Sequence, residues 1–233
     1  MIWDKLSIEA VCESSILIRF SDEIDVQLPK YISAIAEVIV SEHSDSIMSV
    51  TPSYTTLLID YLPFRISEKD LLSSIASLLH SLEFYPEEEN NHSIVFPVYY
   101  HESVAPDLPK ILSEKKISLE QLIELHTSQE YTVCTIGFAP GFAFLANVKE
   151  DLATPRLETP RLKVMKGSVG IADRQTAIYP SDTPGGWNII GNSPVELFDP
   201  NSERLSPFRV GEKVRFESID KYEYKELGGK LWV

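Results

Sequence analysis

A chain of 233 residues, 43% hydrophobic and 24% charged, has ordinary globular composition and room for one large domain or two small ones. A net charge of −14 argues against a nucleic-acid partner, whose phosphates it would repel, and no run reaches the roughly 18 apolar residues of a membrane helix. Met1-Ile2-Trp3-Asp4-Lys5 lacks a basic stretch leading into an apolar run, so no secretory signal is expected. Cys12 and Cys134, far apart, predict two buried thiols in a reducing cytoplasm.

The charge is unevenly spread. Residues 1–92 hold 16 acidic and 5 basic side chains, whereas residues 93–233 hold 19 and 16, which suggests two domains of different electrostatic character. In the first part, Ile16, Ile18 and Phe20 alternate with Leu17 and Arg19, predicting one strand within 6–20. Pro29 then opens a helix whose apolar residues Ile32, Ile35, Ala36 and Ile39 share a face. Tyr54 to Leu62 reads as a strand closed by Pro63.

The clearest helix follows. Ser67 caps it, Asp70 stands three residues on, and Leu71, Leu72, Ile75, Leu78, Leu79 and Leu82 form one stripe for a core. Strand and helix alternate in the order of a split β-α-β, ferredoxin-like layer, with a further strand near Ser93. The acidic break Pro86 to His92 is the expected boundary, giving domains of 1–92 and 93–233.

Beyond it, Asp107 is placed to cap a helix over Leu108 to Lys115, and Ser118 with Gln121 forms a capping pair for Leu119 to His126. From Tyr131 onward short apolar runs alternate with Gly/Pro turns, the pattern of a β-rich sandwich or barrel.

Several segments of this second part are too specific for punctuation. Pro106-Asp107-Leu108, Glu124-Leu125-His126-Thr127, Gly137-Phe138-Ala139-Pro140-Gly141-Phe142, Thr154-Pro155-Arg156, Thr159-Pro160-Arg161 and Thr183-Pro184-Gly185-Gly186-Trp187-Asn188-Ile189-Ile190-Gly191 occur in that order. Together they resemble the family of the small 5-oxoprolinase subunit, also known as kinase-A inhibitor or allophanate hydrolase subunit 1. The resemblance implies an α+β chain with an N-terminal ferredoxin-like domain and a C-terminal cyclophilin-like β-barrel. It implies ATP-dependent hydrolysis of 5-oxoproline to glutamate, with ATP shared with a larger partner subunit of cyclophilin-like domains and a third subunit joining them. The alternatives within the family are a non-catalytic inhibitor of a sensor histidine kinase and a carboxyltransferase-type domain of urea carboxylase. The chain departs from the family where His101-Glu102-Ser103-Val104-Ala105 replaces a glycine-rich stretch, at Phe144 where a tyrosine is usual, and at Met165-Lys166 before Gly167.

The residues themselves suggest a site for an anion. Between 156 and 174 lie Arg156, Arg161, Lys163, Lys166 and Arg174 against only Glu158 and Asp173, an island of +3 in an acidic protein. Arginine forks match carboxylate or phosphate oxygens two at a time, and the alternative is pairing with surplus acids. Arg156, Arg161 and Lys166 are the candidate anion ligands. Trp187 and Asn188 are candidates for a pocket wall, unless the indole is simply core.

His126 is the candidate for moving a proton or holding a substrate oxygen, and Asp107 for catalysis beside its capping role. His43, His80, His92 and His101 show no metal-ligand spacing, so no metal is expected. The 137–142 turn lacks the lysine and hydroxyl of a P-loop, although its glycines allow close backbone approach.

Overall fold

The computed structural model describes residues 6–81 and 93–232. The chain divides into two compact units, Met1–Asn91 and His92–Val233. The expected acidic break, Leu82 of the helical stripe and the first five residues lie outside the described residues.

In the first unit β1 (Ser7–Cys12), β2 (Ser15–Arg19), α1 (Leu28–Glu42), β3 (Ile47–Pro52), β4 (Thr56–Tyr61) and α2 (Glu68–Ser81) follow in order. The four strands form an antiparallel sheet in the order β1-β2-β4-β3. Alternation on the central strands turns Ile16, Ile18, Leu57, Ile59 and Tyr61 to one face. That face meets the apolar stripes Ile32, Ile35 and Ile39 of α1 and Leu71, Ile75 and Leu79 of α2 in one core. Ser67 caps α2 as expected, its Oγ accepting from the Asp70 amide at 3.2 Å and donating to that carboxylate at 2.6 Å.

Two strands escaped sequence reading. The single strand expected over 6–20 is a hairpin, and β3 is new. Both β1 and β3 are sheet edges whose side chains are exposed or half-buried, with none fully buried, so no buried alternation marks them. Their backbone bonds to β2 and β4 leave no trace in side-chain type. Cys12, on β1, is exposed and corrects the expectation of two buried thiols, while Cys134 is buried.

The second unit begins with β5 (Ile94–Val98); a strand near Ser93 is present as expected, but it belongs to the seven-stranded sheet of this unit and not to the four-stranded sheet of the first. Then come α3 (Leu108–Lys115), α4 (Leu119–Thr127), β6 (Tyr131–Ile136), β7 (Ala143–Ala146), β8 (Arg161–Val164), β9 (Ser168–Ala172), β10 (Gln175–Ile178), β11 (Thr183–Gly185), β12 (Asn188–Asn192), β13 (Lys213–Ser218) and α5 (Lys221–Glu226). Seven strands form one sheet in the order β12-β9-β10-β7-β6-β13-β5. Its two edges are joined by an antiparallel bridge between Tyr99 and Asn192, with reciprocal amide bonds of 2.9 and 3.0 Å. The sheet thereby rolls into a nearly closed barrel around a core that includes Val98, Tyr131, Leu145, Val169, Ile171 and Ile189. Strands β8 and β11 form a separate two-stranded ribbon.

Helix α4 has the expected capping box between Ser118 and Gln121. Helix α3 does not follow expectation. Asp107 occupies its N-cap position, but its side chain makes no cap bond, because the carboxylate is directed to other elements of the barrel.

Candidate functional site

A cleft of about 780 Å³ opens on the barrel unit where five chain segments converge, one of them the 137–142 turn through Pro140. Met165 and Lys166 come from the turn between β8 and β9, and Pro180 to Asp182 from the connection between β10 and β11. Asn192 ends β12 and Ser193 to Glu196, with Phe198, follow it, and Gly228 to Lys230 follow α5. Such a volume lies within the range of small-molecule sites, roughly 300–1,000 Å³.

The turn holding Lys166 is tightly built. Gly167 has φ +81°, and a Cβ there would lie 2.2 Å from the Ser193 carbonyl oxygen, so only glycine fits. The Ser193 amide donates to the Gly167 carbonyl at 2.7 Å, and the Gly167 amide to that of Tyr179 at 2.8 Å. Asn192 Nδ2 donates to the Lys166 carbonyl at 3.0 Å, while its Oδ1 lies 2.8 Å from the Tyr224 hydroxyl. That hydroxyl is also 2.9 Å from the Lys230 carbonyl, so one buried hydrogen is shared between the barrel edge and the C-terminal wall of the cleft.

Three of the four charged groups lining the cleft, Lys166, Asp182 and Glu196, have charged partners. Lys166 Nζ pairs with Glu196, and the Lys166 amide donates to Asp182 Oδ1 at 2.8 Å. Lys163 Nζ lies 2.8 Å from Asp182 Oδ2. Its hydrogen bond, with that of the Lys166 amide, holds the Asp182 carboxyl below the usual range.

The cationic island of the sequence is therefore not one patch. Lys163 and Lys166 reach the cleft or its rim, Arg174 pairs loosely with Glu150 at 3.8 Å, and Arg161 turns inward to Asp107. Arg156 is exposed and has no ion pair among the described residues. The acids that neutralise the island come from elsewhere in the chain, which a local charge count cannot foresee.

The other candidates lie away from the cleft. His126 is fully buried, its ring stacked 4.4 Å from that of Phe216. Thr176 Oγ1 donates to the Gly170 carbonyl at 3.0 Å, so it accepts from His126 Nε2 at 3.1 Å. His126 Nδ1 consequently accepts from the Tyr100 hydroxyl at 2.7 Å. Burial pushes the imidazole down to about 3, and neither ring nitrogen is open to a substrate.

Asp107 is also buried. It pairs with Arg161 through Oδ1 and accepts the Ile189 amide at 2.7 Å through Oδ2. Trp187 packs edge-on against Phe142 at 5.7 Å and Phe144 at 5.9 Å, the core alternative for this indole. Asn188 Nδ2 donates to the Pro155 carbonyl at 2.8 Å.

The 137–142 turn makes its close approach to the chain itself. Gly141 has φ +83°, and a Cβ there would sit 2.5 Å from the Leu197 carbonyl oxygen. Of the cleft residues, Asp182, Asn192, Ser193, Glu196 and Tyr224 behind them were not singled out from sequence. The signal that could have found Asn192 and Ser193 is their position between Gly191 and Pro194, a small polar pair ending a buried strand.

A seven-stranded barrel nearly closed at Asn192 is a fold shared with a defined class of proteins. The model of the carboxyltransferase domain, subdomain C and D, matches residues 6–208, and the chain belongs to that family. Among its relatives, a 5-oxoprolinase subunit of Bacillus subtilis (strain 168) is 34% identical over 230 residues, 94% of this chain and 95% of the relative. The solved structure of TTHA0988 superposes with a TM-score of 0.78 at 33% identity, covering 88% of this chain and 40% of its own. This chain thus spans two fifths of the length of that protein. Kluyveromyces lactis urea carboxylase shares the fold, with a TM-score of 0.73 at 17% identity over 97% of this chain and 23% of the enzyme.

Proposed function

We propose that this chain is a subunit of an ATP-dependent 5-oxoprolinase, opening 5-oxoproline to glutamate together with a larger partner subunit. The observation that carries this reading is the end-to-end match to a bacterial 5-oxoprolinase subunit, 94% of one chain against 95% of the other. Two further points support it. The structural relative TTHA0988 is long enough to hold a partner's worth of additional chain, and the cleft offers a small-molecule site beside Lys166.

In this reading the first unit is a ferredoxin-like layer in which β1 occupies the edge position beside β2, and the second is a cyclophilin-like barrel. Among the described residues no helix is long and apolar enough to cross a membrane. The reading places the complex in the cytoplasm, where its ATP is supplied.

The chemistry required is activation of an unreactive lactam carbonyl. Transfer of the γ-phosphoryl group of ATP to the lactam oxygen, with departure of ADP, makes the carbonyl carbon open to water, and phosphate leaves as the ring opens. The cleft carries Lys166 and Lys230 but the chain has no P-loop pattern, and in this reading ATP is shared with the partner and a third subunit completes the assembly. Lys166 and Arg156 serve the anionic groups, while Arg161, Asp107, His126, Trp187 and Asn188 hold the barrel in shape around them.

Co-expression with the partner subunits and an assay of 5-oxoproline-dependent ATP hydrolysis test the proposal. Turnover by the assembly, and none without this chain, is the expected result. An intact assembly with no turnover would overturn it in favour of the kinase-inhibitor reading.

A further inference from the structure

Ser193 is 1% exposed, lines the cleft, and its hydroxyl has no hydrogen-bond partner. Buried hydroxyls are nearly always satisfied, and one that is not marks a place where something else completes the bond. Its backbone is fixed by the exchange with Gly167, whereas the side chain holds nothing in place. Rotation about χ1 therefore turns the hydroxyl without breaking a hydrogen bond. Three residues on, Glu196 reaches across the same cleft to Lys166.

From this arrangement we infer that the cleft binds 5-oxoproline itself, or a small lactam acid of its kind, within this chain. The ligand's identity rests on the function proposed above; the site rests on the cleft. Such a molecule presents three polar features on a small apolar ring. Its carboxylate needs a cation, its lactam N–H an acceptor, and its lactam oxygen a donor on the same edge. Lys166 Nζ, released from Glu196, supplies the cation. The Glu196 carboxylate then accepts the lactam N–H, and Ser193 Oγ donates to the lactam oxygen. Met165, Pro194 and Phe198 give the apolar surface for the ring methylenes.

An ion pair is a fitting resting state for such a site. The two charges satisfy one another when it is empty, and the ligand, bearing one anion and one donor, replaces both halves of the pair. The same logic disfavours a simple polyanion, since the carboxylates of Glu196 and Asp182 flank Lys166 at the cleft.

Two substitutions test the site without upsetting the fold. Ser193→Ala removes a hydroxyl that has no partner, and Lys166→Met removes one half of an exposed pair. Titration of the purified full chain with 5-oxoproline, followed by amide NMR shifts and calorimetry, reads binding directly. Saturable binding is expected, weakened at least fivefold by Ser193→Ala and tenfold or more by Lys166→Met, with proline, which lacks the lactam oxygen, binding more weakly. In parallel, the KM for 5-oxoproline of the assembled complex should rise by similar factors.

No saturable binding by the chain together with an unchanged KM in both variants would overturn the site, although an active complex would leave the proposed function standing. Binding that both substitutions leave intact would overturn it equally. A complex that never turns over, beside a chain that binds 5-oxoproline through Ser193 and Lys166, would instead separate the site from the enzyme reading.

Discussion

Asp107 and Arg161, 54 residues apart, form a part-buried ion pair that ties the N-cap position of α3 to strand β8, and the second carboxylate oxygen of Asp107 takes the Ile189 amide of β12. The Asp107 carboxylate is thus the common partner of three elements. A helix cap would have used one oxygen and reached no further than its own first turn.

Replacing Asp107 with alanine leaves a half-buried guanidinium and a buried amide without that acceptor. A loss of about 3 kcal/mol is expected, since breaking a buried pair from one side costs roughly 3–5 kcal/mol and Arg161 is partly exposed. At roughly 2–4 °C per kcal/mol this is a fall of about 10 °C in Tm. Asp107→Asn, which keeps an acceptor, should lose about half as much. If both variants melt with the parent while complex turnover disappears, the carboxylate acts in chemistry and not as a strut.

His126 makes stability depend on pH in a defined window. Its folded value of about 3 lies below the unfolded value of about 6.5. Beneath pH 6.5 the unfolded chain takes up a proton that the folded chain refuses. Stability therefore falls as pH falls, by about 1.4 kcal/mol per pH unit from this group, and the loss levels off below pH 3. Urea denaturation at pH 7, 6 and 5 checks this against His126→Gln, whose pH slope should be shallower by that amount. Equal slopes would show that His126 accepts its proton in the fold.

Gly167 and Gly137 make a matched pair. Alanine at Gly167 must adopt a positive φ and place Cβ 2.2 Å from the Ser193 carbonyl, whereas nothing lies within 4 Å of a Cβ at Gly137. Gly167→Ala should cost about 2 kcal/mol or more and disturb Ser193, while Gly137→Ala should stay within about 0.5 kcal/mol of the parent. Chemical denaturation of both variants decides the matter, and equal losses would contradict it.

Tyr224 anchors the wall of the cleft after α5. Tyr224→Phe deletes the hydrogen shared by Asn192 and Lys230 but keeps the ring, against which Gly229 packs closely. A loss of about 1 kcal/mol is expected. Faster hydrogen exchange should appear at the Trp232 amide, which donates to the Ser103 carbonyl at 2.9 Å. Exchange at the parent rate would show that the ring alone holds this segment.

What could be read from residues alone was whatever leaves a periodic or local mark. The stripes of α1 and α2, the Ser67 cap, the Ser118–Gln121 box and the glycine-punctuated strands after Tyr131 all fall in this class. Each is fixed by side chains within a few positions of one another, and the ordered motifs carry the family with them. Strands β1 and β3 left no such mark, because an edge strand is held by backbone bonds that any residue can make.

The site was decided only in three dimensions. The sequence placed five cations within 19 residues, but which acid each would meet depended on Asp107, Glu150, Asp182 and Glu196, distributed along the barrel. His126 and Trp187 had the residue types of a site and became core, because burial, not identity, sets whether a side chain meets solvent. Ser193 had the residue type of a loop and became an unpartnered donor beside a cleft, because barrel closure at Tyr99 and Asn192 fixed where the next residue would stand. Local chemistry is written in the chain; the meeting of distant charges is a property of how the sheet closes.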